Sequence, residues 1–305
     1  MTSSLELVFD RRPSAAAFML RALLRAPRRG GTLIVPPICA RWKGYAIDPQ
    51  HLDTFLRLTG LPRGPELSLL YPHVFGFPLL MVVLTHRAYP LPIWNALQIR
   101  NHFLQHHPLR HDSVVDLQTA VTAQRVLEKG LEVDLHTLVT SQGELAWEGL
   151  CTFYYRGRFG TSSSPSPLAI APAFEASEHA TWPTTSAPGP RFAQLTGDYN
   201  GIHRWHWYAR RLGFRGALHH PQLVLGQCLA HLPFAPAQGP LRLDAWLKGP
   251  VFYGDDVHLR TADRAGESLF TATPSGETRP ALVGRLRAAA LGESLIRPAN
   301  AQCSR

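Results

Sequence analysis

No run of 18 apolar residues occurs anywhere in the 305-residue sequence, so no membrane-spanning helix is expected. Cysteine is scarce. Cys39, Cys151, Cys228 and Cys303 are scattered and form no C-x-x-C pair. That spacing argues against a zinc site and a disulfide framework, and it suits a reducing cytoplasm. Charged residues make up only 17% of the chain, and the 22 acids are outnumbered by 31 bases. G-x-S-x-G, G-x-x-x-x-G-K-[ST] and G-x-G-x-x-G are all missing. Serine-hydrolase, P-loop and dinucleotide-binding chemistry therefore have no motif behind them. The first residues include Glu6, Asp10, Arg11 and Arg12, unlike a secretory leader or an acid-poor transit peptide.

What is present is a chain long enough for two domains, 45% hydrophobic, with a net charge of +9. The basic balance favours an anionic partner, such as a phosphate-bearing carrier. Nothing resembles an RNA-binding signature, so nucleic acid is not expected.

Two halves echo each other. Phe55-Leu56-Arg57-Leu58-Thr59-Gly60 and Phe192-Ala193-Gln194-Leu195-Thr196-Gly197 share F-x-x-L-T-G, and each precedes an apolar helix opened by a proline, Pro72 or Pro221. Gly60 to Pro72 is 12 positions, whereas Gly197 to Pro221 is 24. The longer copy carries Asp198, Asn200 and His203; the shorter has Leu61 where Asp198 would stand. Strands are expected at 38–47, 97–104, 114–126, 130–140 and 145–155, and again at 241–247, 256–262, 268–274 and 281–288. Helices are expected at 50–58, 206–212 and 221–232. A sheet following one long helix, twice, is an α+β arrangement.

Residues 1–35 read as an N-terminal extension holding a basic amphipathic helix from Ser14 to Arg29, ended by Gly30-Gly31 and docked on the protein body. Residues 36–158 form the first domain and 191–298 the second. The Ser-, Pro- and Thr-rich span 159–190 reads as a linker, and 299–305 as a frayed tail.

Asp198 and His203 sit five residues apart in a Gly- and Asn-containing turn. A carboxylate and an imidazole converging on one water suit general acid–base work. The alternative is a plain surface turn in which Asp198 and Asn200 bond their own backbone. The sequence T-G-D-x-N-x-I-H, then G-F, then a His before a helix, then Pro250-Val251-Phe252-Tyr253-Gly254-Asp255, resembles the MaoC-like dehydratases, which include the (R)-specific enoyl-CoA hydratases. The matched blocks cover about residues 192–260, in the family's order: S-G-D-x-N-P-I-H, G-F-x-x-x-I-x-H-G-M, P-V-x-x-G-D.

That resemblance implies a double hot-dog, two antiparallel sheets each wrapped round a central helix. It implies a lyase of fatty acid metabolism acting on trans-2-enoyl and (R)-3-hydroxyacyl thioesters. Asp198 and His203 match the catalytic pair, and Asn200 and Gly197 support their loop. The only carrier implied is that of the substrate, coenzyme A or acyl carrier protein. No cofactor and no metal are expected. In the family, the N–H of the glycine after the pre-helix His faces the thioester oxygen. Here His220 matches that His, but Pro221 stands at the glycine and has no N–H. The substitutes are the N–H groups of Gln222 and Leu223, or that of His220 itself. Leu229 stands near a serine position of the family's central helix, and Gly201 replaces the loop proline. These departures leave a weakened or inactive acyl-thioester binder as the alternative. A hot-dog thioesterase is less consistent, because 221–232 contains neither Asp nor Glu.

Arg204, Arg210, Arg211, Arg215 and Lys248 are candidates for carrier phosphates. Trp205, Trp207, Tyr208 and Trp246 are either an acyl tunnel wall or plain core. His102, His106, His107 and His111 read as a solvated strand end rather than a metal site. The expected assembly is a monomer or homodimer in the cytoplasm, without stable membrane insertion.

Overall fold

The computed structural model describes residues 5–24, 33–232, 239–264 and 266–296. Strand β1 (Leu5–Phe9) and helix α1 (Ala15–Leu23) open the chain, followed by β2 (Ile38–Ala46), α2 (Pro49–Thr59) and the central helix α3 (Tyr71–Leu84). Strands β3 (Leu97–Gln105), β4 (Val114–Leu127), β5 (Gly130–Ser141) and β6 (Glu144–Arg156) complete the first half. The second half has β7 (Ser177–Pro183), α4 (Pro188–Thr196), α5 (His206–Arg211) and α6 (Pro221–His231). It ends with β8 (Leu241–Leu247), β9 (Asp256–Arg264), β10 (Glu267–Pro274) and β11 (Leu282–Ala288).

Local chemistry accounts for these boundaries. Asp48 accepts from the N–H groups of Gln50 and His51, and Pro49 follows it, so α2 starts with its first donors satisfied. Gly60 and Gly197 end α2 and α4 in the left-handed region, at φ 77° and 76°. In both echoes the Thr hydroxyl donates to the Phe carbonyl one turn back, Thr59 to Phe55 and Thr196 to Phe192. Helix α3 is buried at all 14 residues. An apolar surface on every side is what a helix enclosed by a sheet requires. Between β5 and β6, Gln142 and Gly143 both take positive φ, the geometry of a tight hairpin.

The strands join in one sheet ordered β1-β2-β4-β5-β6-β3-β8-β11-β10-β9-β7. Reading outward from the centre, β3-β6-β5-β4-β2 on one side matches β8-β11-β10-β9-β7 on the other, so the halves are related about the β3–β8 seam. The fold is a double hot-dog of class α+β. One hydrophobic cluster contains residues of both central helices and both half-sheets. The inner helices also cross over: α4 packs on α3, and α2 packs on α6. At that second contact Gly226 brings α6 onto Thr59, where an added Cβ would lie 2.5 Å from the Thr59 methyl.

Three features differ from the sequence expectation. The span 159–190 is not only a connection, because Ser177–Pro183 pairs with β9 as an edge strand and α4 starts at Pro188. Its Ser and Thr content masks strand formation, since an edge strand needs no apolar run. The extension docks on the body, in keeping with the sequence reading: β1 pairs in parallel with β2, and Phe18 of α1 is fully buried. Of the expected 14–29 helix, 25–29 lie outside the described residues, as does the 299–305 tail. His102 is no solvated end. It is fully buried opposite Asp244 across the seam, with Nδ1 2.7 Å from the carboxylate. Cys151 and Cys228 are buried thiols, whereas Cys39 is disulfide-bonded, unlike the expected reduced set. Among the described residues no helix is long and apolar enough to cross a membrane.

Candidate active site

The dyad loop begins where α4 stops. Two groups from the first part of the chain hold that end. His51 of α2 places Nε2 3.0 Å from the Leu195 carbonyl, and the Arg12 guanidinium donates to the carbonyls of Gln194 and Leu195. Gly197 then reverses the chain over the Phe18 ring, which lies 3.0 Å from where a Cβ would sit. Asp198 accepts from the Asn200 N–H through Oδ1, leaving Oδ2 to face His203. Asn200 accepts from the Ile202 N–H and caps the short turn Gly201–His203. Asn200 is thus a loop-shaping residue.

His203 is 7% exposed and fixed by what surrounds it. Its Nδ1 is 2.9 Å from the Leu218 carbonyl, which can only accept, so Nδ1 carries the proton of the neutral ring. Nε2 therefore presents its lone pair, 3.7 Å from Asp198 Oδ2. The backbone of His203 is anchored as well, its carbonyl accepting from the Tyr253 hydroxyl at 2.7 Å. Burial pushes that phenol up to about 12, so it stays a donor at neutral pH.

His220 stacks on His203 and donates from Nε2 to the Asp198 carbonyl at 3.2 Å. Burial, reinforced by the neighbouring His203, holds His220 neutral, well below the ordinary histidine range. The reacting-side atoms of Asp198, His203 and His220 all lie within 4.8 Å of one another, close enough to consider a metal ion. The two rings lie nearly parallel, only 23° apart, so their in-plane lone pairs do not converge on one ion. Acid–base chemistry fits this cluster better than ligation.

At the start of α6, Leu223 and Val224 both give their N–H groups to the His220 carbonyl. That corrects the expectation for Leu223, whose donor is spent inside the helix turn. Gln222 lies between this turn and Pro221 and lines the cavity beside the dyad. Among the described residues its N–H, in the first turn of α6, has no backbone acceptor.

The dyad sits in a cavity of about 600 Å³. Asp198, His203 and Pro221 line it together with Phe77, Met81 and Leu84 of α3. The first half therefore contributes apolar lining without contributing to the dyad. The aromatic candidates are placed elsewhere. Trp205 and Trp207 are 43% and 64% exposed, and the Trp246 N–H donates to Leu168. Among the basic candidates, Lys248 lies at the cavity, while Arg215 is committed to both oxygens of Asp255 and lies over the Phe252 ring. Arg210 donates to the Arg215 carbonyl, and Arg204 stacks on Trp205. Arg211 is exposed on α5. Arg156 and Gln98 also line the cavity. Sequence reasoning missed both, because each sits on a first-half strand far from any motif.

No family model matches the chain. It is 28% identical over 241 residues to 3-hydroxyacyl-thioester dehydratase X of Mycobacterium tuberculosis, covering 79% of this chain and 86% of the relative. The fold matches the crystal structure of HtdX from the same organism with a TM-score of 0.71 and 24% identity, over 82% of this chain and 100% of that one. A MaoC-like dehydratase from Phytophthora capsici matches with a TM-score of 0.68 and 16% identity, over 89% and 98%. The likeness in fold to the MaoC-like dehydratases thus runs beyond the 192–260 motifs to between 82% and 89% of the chain.

Proposed function

We propose that the chain catalyses the reversible hydration of a trans-2-enoyl thioester to an (R)-3-hydroxyacyl thioester, as a lyase with Asp198 and His203 as its catalytic pair. The observation that carries this reading is the His203 Nε2 lone pair facing Asp198 Oδ2 across 3.7 Å, with Nδ1–H tied to Leu218. That gap suits a water bonded to both groups. In the hydration direction the water oxygen bonds to the β-carbon as its proton passes to the pair. A proton from the pair is delivered to the α-carbon on the same face. In dehydration the same groups work in reverse.

Charge that builds on the thioester oxygen needs a donor, and the Gln222 N–H at the positive end of α6 would supply one. The acyl chain would extend along Phe77, Met81 and Leu84. Of the five basic candidates, Lys248 and Arg211 have no side-chain partner among the described residues, and they would meet the phosphates of coenzyme A or an acyl carrier protein. No resident cofactor is required by this chemistry, and the assembly is a monomer or homodimer.

A second reading, an acyl-thioester binder with little turnover, is motivated by Pro221, which removes one N–H from the helix start, and by Leu229 near the family's serine position. Hydration of crotonyl-CoA, followed by loss of enoyl absorbance, separates the two. Turnover by the wild type that disappears in Asp198→Asn and in His203→Ala supports the hydratase. Binding of acyl-CoA without turnover at any chain length supports the binder.

A further inference from the structure

A chain of side-chain amides runs from the cavity wall into the interior. Gln222 Nε2 donates to Gln98 Oε1, and Gln98 Nε2 donates to Asn101 Oδ1 at 2.6 Å. Gln222 is 2% exposed and belongs to α6; Gln98 and Asn101 belong to β3, across the seam in the first half. Both glutamines line the cavity that holds Asp198 and His203. Burying a carboxamide is unfavourable unless its polar atoms have partners. Gln98 satisfies one Nε2 hydrogen of Gln222. The second hydrogen remains, on an amide whose plane is fixed from the other half of the molecule.

We infer that the Gln222 carboxamide, oriented by Gln98, is a second donor to the thioester oxygen and replaces the backbone N–H that Pro221 removes. The inference rests on the hydratase reading above and assigns a task to the first half beyond enclosing the acyl chain. Gln222 would be a catalytic residue and Gln98 a positioning residue. Side-chain amides serve this purpose elsewhere, and removing one such donor lowers turnover by about 10²–10³. The donor acts on charge present only in the transition state, so the loss belongs in kcat rather than KM.

The test uses the full chain and hydration of an enoyl-CoA that the wild type turns over. Gln222→Met keeps the backbone N–H and the side-chain volume. It should lower kcat about 10²–10³-fold with KM within about threefold and an unchanged melting temperature. Pro221→Gly added to Gln222→Met restores the His-Gly-Met order of the family and should recover at least about tenfold in kcat. Gln98→Met should lower kcat in the wild type but add little to Gln222→Met, because the two glutamines act as one unit. Gln222→Met with kcat within about threefold of wild type would overturn the inference, as would a Pro221→Gly addition that recovers nothing. If Gln222→Met does not fold, Gln98→Met decides: full kcat overturns the inference, and a kcat-only loss upholds it. Absence of wild-type hydration would instead sink the hydratase reading itself, so the two failures are distinguishable.

Discussion

The imidazole of His220 lies flat on that of His203, with ring centroids 3.9 Å apart and planes 23° apart. The stack fixes the plane of the His203 ring, and the Leu218 carbonyl fixes its rotation within that plane. His220→Phe keeps a flat ring against His203 but loses the bond to the Asp198 carbonyl. It should retain most of the stability and lose about tenfold or more in kcat, since the Asp198 loop is then free to shift. His220→Ala should lose as much activity and, in addition, on the order of 2–3 kcal/mol of stability from the cavity it leaves. Parallel urea denaturation and crotonyl-CoA kinetics check both; equal stability of the two variants would contradict the stacking role.

The α3 wall makes a chain-length prediction. Met81 lines the cavity from α3, so Met81→Trp should narrow it. Hydration of a four-carbon enoyl-CoA should change by less than about threefold, while twelve-carbon and longer substrates should lose about tenfold or more in kcat/KM. Equal losses at all lengths would place the acyl chain elsewhere.

Buried histidines set the acid side of stability. Burial drives His219 down to about 4 and His73 to about 3, from an ordinary 6.5. Between pH 6.5 and 4 the unfolded chain takes up protons on these groups while the folded chain does not, so stability should fall as the pH falls through that window. A second loss should follow lower down. Burial raises Glu148, but the bonds from His106 and His136 outweigh it and hold the group at about 2, against 4.5 ordinarily. Its stabilising share is present above pH 4.5 and disappears as the pH approaches 2. Urea midpoints measured from pH 7.5 to 4 check the first window. A flat profile would contradict it, and His73→Met should reduce the slope.

Gly226 tests the helix crossing. Alanine there would gain up to about 1 kcal/mol of helix propensity. The added Cβ meets Thr59, which is 2% exposed and bonded to Phe55, at 2.5 Å. Overpacking of that kind costs about 1–3 kcal/mol, so Gly226→Ala should lower the melting temperature. Thr59→Ala in the same chain should recover part of the loss; no recovery would mean the strain lies elsewhere.

Much of this molecule is legible from local pattern. The eight strands expected in the two four-strand sets fall within two residues of those observed, because alternation and turn residues act over short range. The F-x-x-L-T-G echo marks two helices with the same left-handed cap. The Asp198–His203 pairing is legible because one loop of six residues carries both groups. The β7 strand was hidden, since an edge strand needs neither an apolar run nor alternation. His102 was misread because its partner, Asp244, lies 142 positions away.

Acting alone, the sequence determined the two F-x-x-L-T-G segments, the loop that carries both Asp198 and His203, and the loss of an N–H at Pro221, each a property of neighbouring residues. Only the tertiary structure decided which groups complete the site. Gln98 reaches Gln222 across 124 positions because β3 pairs with β8 and seats one half against the helix start of the other. Leu223 drops out as a donor because the first turn of α6 closes on the His220 carbonyl. Strand pairing and helix-turn geometry are set by the packed whole, so no local reading of the chain contains them.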